Sequence, residues 1–271
     1  MRPIILYRND VDWQNESESA KKYFETTNSR MKIKAGDLVI PRFSAVPFNK
    51  ELEDDVNYVG AKLINSNKSH KYIADMINWY DDLKDYTPKT YTRLQDLPEE
   101  GPFVLKGETN SKKFLWKTHM FAANKRAAIE VESRLHADSL ITYQNIYIRE
   151  FIKLKTFMVG IQDLPITNEY RFFCYKDQIL SSGYYWSSHV LDLEEIGIKT
   201  DPNQVPIEFV KKIMDVVKNK VNFYVIDVAE TESNEWIVVE LNLGEMSGLS
   251  ENDPNIMYSN LKTALENESN S

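Results

Sequence analysis

Residues 236–244, WIVVELNLG, form an apolar run that ends on a carboxylate and a carboxamide, Glu240 and Asn242. Side chains alternate across a strand, so Glu240 and Asn242 share one face while Leu241 takes the other. Upstream, Phe223-Tyr-Val-Ile-Asp227-Val228 is a second apolar run carrying an acid, and Glu232-Ser-Asn-Glu235 between the two reads as a turn. Antiparallel pairing of the runs brings Asp227 beside Glu240 and Asn242. Two carboxylates and an amide oxygen make a hard, all-oxygen set suited to magnesium, which takes a few protein oxygens together with phosphate oxygens and water. The same trio also suits a solvent-facing strand end. Glu240→Gln is expected to relieve repulsion from Asp227, leaving the metal-free protein as stable or slightly more so. Leu241→Asp, a carboxylate on the core face, is expected to unfold the hairpin.

Outward from this pair, Pro206 opens a helix that runs to about Lys218, and Pro254 to Leu265 is a closing helix followed by a polar tail, ENESNS, expected to fray. Tyr170–Tyr175 and Ile179–Tyr185 read as a hairpin turned at Lys176-Asp177-Gln178. Earlier come a strand over Ile146–Ile152, a helix from Asn124 to about Ala137, and strands at Phe103–Lys106 and Thr90–Arg93. Pro88, Pro98 and Pro102 change the character of the chain, which places a domain boundary near residue 86. Before it, strands Ile4–Tyr7 and Asp37–Ile40 alternate with helices over Glu16–Glu25, near Glu51, and from Ser69 to Leu83, where Ile73, Met76, Ile77 and Tyr80 fall at helical spacing. That alternation favours a small, partly parallel sheet.

Cations punctuate the same strands. Lys106 ends Phe103-Val-Leu-Lys106, where a bare ammonium is costly without an anionic partner, and a phosphate would supply one. Ser111–Lys117 adds Lys112, Lys113 and Lys117, either a second phosphate-binding group or a solvated basic turn. Tyr147–Ile152 is an ordinary strand on its own, yet it can offer backbone groups around Glu150 to a purine edge, with Phe151 and Ile152 making an apolar slot. Glu169 and Arg171 share a face, so the acid can accept from ribose hydroxyls and the guanidinium can reach a transferring phosphoryl group.

Composition narrows the remaining classes. With 271 residues, 42% of them hydrophobic, the chain can bury a sizeable core. A net charge of -8 argues weakly against a nucleic-acid or membrane-surface partner. Cys174 is the only cysteine, which excludes an intramolecular disulfide and a Cys-based zinc site and fits a reducing, cytoplasmic setting. The opening MRPIILYRND carries an apolar run too short for a signal peptide or a membrane span. His70, His119, His136 and His189 lack the spacing of a zinc hydrolase.

Taken in order, Thr87-Pro-Lys-Thr90, Phe103-Val-Leu-Lys106, Ile148-Arg-Glu-Phe-Ile152, Glu169-Tyr-Arg171, Ile226-Asp227 and Glu240-Leu-Asn242 give the chain a pattern that resembles the ATP-grasp superfamily of carboxylate–amine ligases from about residue 60 to 250. The resemblance implies an α+β fold in which two subdomains, residues 87–152 and 153–271, clasp a nucleotide behind a front α/β domain of residues 1–86. It implies ATP and Mg2+ as cofactors. Lys106 and Lys113 would meet the phosphates, Glu150, Phe151 and Ile152 adenine, and Glu169 ribose. Arg171, with Lys106, would stabilise the transferred phosphoryl group, and Asp227, Glu240 and Asn242 would hold the metal. Lys71 is a poor match to a first phosphate lysine. The implied activity is ligation of a carboxylate to an amine through an acylphosphate, on an amino acid, peptide or protein; a kinase acting on a hydroxyl and a nucleotide-binding module without turnover are the alternatives. Two departures stand out. The loop Gly107–Lys113 has one glycine and two lysines, and Gly183-Tyr-Tyr-Trp186 stands where many ligases carry an arginine.

Overall fold

The computed structural model describes residues 1–9 and 11–269. Its first sheet is wholly parallel where the alternating pattern favours a partly parallel one: β1 (Arg2–Tyr7), β2 (Glu25–Thr27), β3 (Asp37–Arg42) and β4 (Lys62–Leu63) lie in the order β2-β1-β3-β4. Helices α1 (Val11–Tyr23), α2 (Asn49–Tyr58), α3 (Asn67–Ala74) and α4 (Met76–Leu83) accompany it. The single helix expected from Ser69 to Leu83 is two. Asp75 turns extended (φ -107°, ψ 115°) and its carboxylate accepts from the Ile77 N–H at 3.2 Å, capping α4. A short acidic side chain that bonds neighbouring backbone favours a cap over a helix interior, and here that preference overrides the apolar periodicity.

The next sheet is antiparallel, in the order β5-β8-β6-β7, from β5 (Thr90–Tyr91), β6 (Glu100–Gly107), β7 (Phe121–Asn124) and β8 (Ile146–Glu150). Helix α5 (Lys125–Ala137) covers one face, its Asn124 cap accepting from the Ala127 N–H at 3.0 Å, and Phe103, Leu105, Val131, Leu135 and Ile148 fill the layer between. Strand β8 stops at Glu150, so Phe151 and Ile152 lie beyond its end rather than within the strand expected to Ile152.

A hairpin that the sequence did not announce, β9 (Thr156–Val159) with β10 (Pro165–Thr167), leads to the last sheet. There β11 (Glu169–Tyr175), β12 (Gln178–Tyr184), β13 (Phe223–Glu230) and β14 (Trp236–Leu243) run antiparallel in the order β12-β11-β13-β14, with α6 (Val190–Glu195), α7 (Ile207–Val217) and α8 (Pro254–Ser269) around them. Both faces of this sheet are covered. On one, Phe172, Ile226, Val238 and Leu241 pack with Val210 and Ile213 of α7 and with Trp79 and Leu83 of α4. On the other, Phe173, Phe223 and Val225 pack with Leu261 of α8, Trp13 of α1 and Ile5 of β1. Double coverage explains why every residue of β13 is buried, Asp227 included. The tail expected to fray is helical to Ser269, with Glu268 accepting from Tyr175 Oη at 2.7 Å; Asn270 and Ser271 lie outside the described residues. Among the described residues no helix is long and apolar enough to cross a membrane.

Candidate active site

The two antiparallel sheets face each other across a cavity of about 250 Å³ whose walls include Lys106, Lys113, Glu150, Ile152, Glu169 and Glu240. Strand β14 gives it Ile237, Val239 and Glu240, and β13 pairs alongside. Asp227 lies opposite Glu240, and Asn242 Nδ2 reaches Asp227 Oδ2 at 3.4 Å, so the three expected metal ligands converge. Leu241 points into the core, as alternation requires.

Each of the two carboxylates has its own cation, whose attraction outweighs their mutual repulsion. Arg171 grips Asp227 with a two-pronged fork, Nε to Oδ1 at 2.9 Å and Nη2 to Oδ2 at 2.8 Å, while its Nη1 donates to the Gly248 carbonyl at 2.8 Å. Lys106 Nζ crosses from β6 to bond Glu240 Oε1. Burial would raise the Glu240 carboxyl, yet Lys106 and Lys113 outweigh it and hold the group at about 2. The expectation that repulsion from Asp227 dominates at Glu240 is therefore corrected. No group of three or more His, Cys, Asp or Glu side chains gathers for a metal among the described residues. The set still fits magnesium: each ionised carboxylate has more acceptor positions than one cation occupies, Asn242 adds an amide oxygen, and phosphate oxygens would complete the shell.

Of the three loop cations, one enters the cavity. Lys112 pairs with Asp138 at 2.7 Å and Lys117 with Asp163 at 2.8 Å, both outside it. Lys113 bonds the Tyr185 hydroxyl and lies 4.1 Å from the Tyr185 ring centre and 5.2 Å from that of Trp186. Burial works to lower its pKa, but Tyr185, Glu169 and Glu240 outweigh burial and keep the ammonium charged. Tyr185 also stacks under Arg171, 4.9 Å from ring centre to guanidinium carbon. Tyr185, in the segment where many ligases carry an arginine, thus lies between the two basic groups, with Trp186 beside Lys113. Lys71 is exposed on α3 and takes no part in the cavity wall.

Glu169 is 2% exposed; its Oε2 accepts from Thr167 Oγ1 at 3.1 Å, while its buried Oε1 has no partner. Burial pushes this carboxyl up to about 7. An unsatisfied buried acceptor facing the cavity is costly, and a hydroxyl-bearing ligand would remove that cost. Glu150 is occupied on its outer side, where Oε1 accepts from Tyr91 Oη at 2.8 Å. Beyond it, Phe151 and Ile152 also line the cavity. The Phe151 N–H donates to the Pro102 carbonyl at 3.0 Å, whereas the Ile152 N–H has no partner among the described residues. Phe151 packs edge-on against Phe121, ring centres 5.4 Å apart, beside Trp116.

Sequence reasoning missed Arg149, Tyr185 and Trp186. The signal for Arg149 was the one that singled out Lys106, a cation in an apolar strand. It also passed over Glu245, on the turn after β14. That carboxylate is buried, accepts from Asn65 Nδ2 at 2.7 Å, and is pushed by burial up to about 7. A carboxyl that holds its proton more tightly when folded contributes stability below about pH 4.5, and this is lost as pH rises to about 7. Glu245→Gln is therefore expected to match the wild type near pH 4 and to exceed it at pH 8 by about 1–3 kcal/mol, measured by urea denaturation at both values.

The family described as ATP-grasp domain, R2K clade family 3, matches residues 93–261. No curated protein matches the chain. Among solved structures, the chain is similar to a RimK domain ATP-grasp protein from Sphaerobacter thermophilus at TM-score 0.56 and 15% identity, covering 96% of this chain and 98% of that one. It is similar to the D-cycloserine synthetase DcsG at TM-score 0.59 and 13% identity, over 97% and 99% of the two chains. It is similar to D-alanine--D-alanine ligase from Bacillus anthracis, solved with ATP, at TM-score 0.57 and 11% identity, over 98% of each. At such identities the likeness is one of fold.

Proposed function

The chain belongs to the ATP-grasp domain, R2K clade family 3, and from that premise we propose an ATP- and magnesium-dependent ligase that joins a carboxylate to an amine through an acylphosphate. One observation carries the proposal: the Lys106–Glu240 pair lies in the cavity wall, and the Arg171–Asp227 pair adjoins it because Asp227 lies opposite Glu240. Among the structural relatives is the ATP-grasp ligase PsnB, solved with a minimal precursor, Mg and ADP, alongside the D-cycloserine and D-alanyl-D-alanine enzymes. Their substrates make an amino acid, peptide or protein the class proposed here.

The protein's own part is positioning and charge. In this proposal the Ile152 N–H and the apolar wall around Phe151 orient the base, and Glu169 accepts from ribose. Lys106 leaves Glu240 for the phosphates, Lys113 meets them from the other side, and Arg171 lies beside the phosphoryl group in flight. Magnesium, held by Asp227, Glu240 and Asn242, would supply charge neutralisation to the phosphate oxygens. Preorganised cations of this kind need no protein nucleophile. A front unit ending near residue 86 belongs to the proposal as part of the acceptor side. So does a reducing, cytoplasmic setting, in which Cys174 is a buried free thiol.

The deciding measurement is ADP release across a panel of amino acids and peptides, followed by mass analysis of phosphate formed from an oxygen-labelled carboxylate. Label is expected in the phosphate. Label retained in the organic product, with a phosphorylated hydroxyl, would instead make the enzyme a kinase.

A further inference from the structure

Strand β14 contains an irregularity that decides where Glu240 points. Val228 pairs with Val238 and Asp227 with Glu240, so Val239 is the extra residue of a β-bulge. Val238 and Leu241, three apart, both lie in the core, while Val239 and Glu240 both line the cavity. Without the bulge, strict alternation from Val238 would turn Glu240 into the core and Leu241 into the cavity.

Strand β14 is the edge of its sheet, so backbone groups at and beside the bulge have no ladder partner on the outer side, and residues from outside the sheet supply one. Arg149 Nη1 donates to the Val239 carbonyl at 2.7 Å, and its Nη2 donates to Thr87 Oγ1 at 2.6 Å. Thr87 Oγ1 in turn donates to the Val238 carbonyl at 2.8 Å, and the Val238 N–H donates to the Tyr86 carbonyl at 2.7 Å. Arg149 is 7% exposed, has no carboxylate in salt-bridge contact among the described residues, and leaves its Nε unsatisfied. A buried guanidinium bonded only to neutral groups is costly, so it adds little as a stabilising pair. What it does hold is the extra residue immediately before Glu240.

We infer that Arg149 is a positioning residue for magnesium: by fixing the bulge from the adenine-side sheet, it aims Glu240 at the metal. The inference rests on Glu240 being a metal ligand. It also couples the two halves of the clasp, because Arg149 immediately precedes Glu150 at the adenine end of β8.

The test compares ADP binding with and without magnesium, read from the fluorescence of Trp116 and Trp186, which line the cavity. Arg149→Met is expected to keep metal-free ADP affinity within about 3-fold of wild type while raising the magnesium midpoint about 10-fold or more, and Arg149→Lys, with one donor for the Val239 carbonyl, to recover part of that shift. Thr87→Val, which removes one neutral acceptor of the guanidinium and keeps its bond to the Val239 carbonyl, is expected to raise the midpoint about 3-fold and serves if Arg149→Met does not fold. An unchanged midpoint in the folded variants overturns the inference, as does an equal loss of metal-free ADP affinity, which would place Arg149 on the nucleotide. Glu240→Gln is run alongside. If it shifts the midpoint and the Arg149 variants do not, the positioning role fails alone; if none shifts, the metal site fails with it.

Discussion

Asp227→Ala is expected to cost about 3–5 kcal/mol of stability and to lower turnover by at least about 100-fold, a combination that a solvated strand carboxylate would not produce. Asp227 is 1% exposed and both of its oxygens hold the Arg171 fork. Removing it leaves a guanidinium buried between strands with only the Gly248 carbonyl as acceptor. Arg171→Met makes the mirror defect, a carboxylate in the core of β13 without its cation. Each single variant pays for one unpaired charge, so the two effects are not additive. The double variant Asp227→Leu with Arg171→Met replaces the pair by apolar groups and is expected to recover at least about half of the lost stability while remaining inactive. Urea denaturation of the three variants beside turnover assays separates the contributions. A single-variant loss under about 0.5 kcal/mol would show that the pair is solvated and that Asp227 is no part of a buried site.

Local pattern made much of this fold readable before any coordinates. The last sheet follows from apolar runs separated by short turns, and the face shared by Glu240 and Asn242 follows from counting forward from the acid. Counting backward fails, because Trp-Ile-Val-Val is apolar in either register and nothing in it marks Val239 as the extra residue. The partners of the charged groups were not readable for a different reason. Lys106 and Glu240 are 134 positions apart on different sheets, so their contact depends on how two sheets close on one another; Arg171 and Asp227 are 56 apart and meet across neighbouring strands of one sheet that no short turn connects. Sequence reasoning named the cations and the carboxylates for separate tasks, phosphate and metal, and did not pair them with one another. The β9–β10 hairpin was hidden by its shortness and by Gln162 and Asp163, whose positive φ angles no residue type there announced.

The closure of the sheets also reverses what Glu240→Gln should do. A repulsive Asp227–Glu240 pair would make the metal-free variant as stable as the wild type or more so. In the folded protein Glu240 instead answers Lys106, which is buried. Its carboxyl is held at about 2, below the model-compound value of 4.5, so its stabilising contribution is complete above about pH 4.5 and disappears as pH falls toward 2. Glu240→Gln is therefore expected to lose on the order of 1–3 kcal/mol at pH 7 and almost nothing near pH 2. Lys106→Met removes the other partner. If the two interact directly, the double variant is less destabilised than the sum of the singles by about 1 kcal/mol or more. Ligand binding splits the same pair along a second axis. Losing Glu240 frees Lys106, so metal-free ADP should bind as well as before or more tightly while the gain from added magnesium shrinks; losing Lys106 should weaken ADP with and without metal. Thermal melts at the two pH values and ADP titrations with and without magnesium test both axes. Additive stabilities, together with a Glu240→Gln variant whose magnesium response matches the wild type, would mean that Lys106 and Glu240 neither hold one another nor share a ligand.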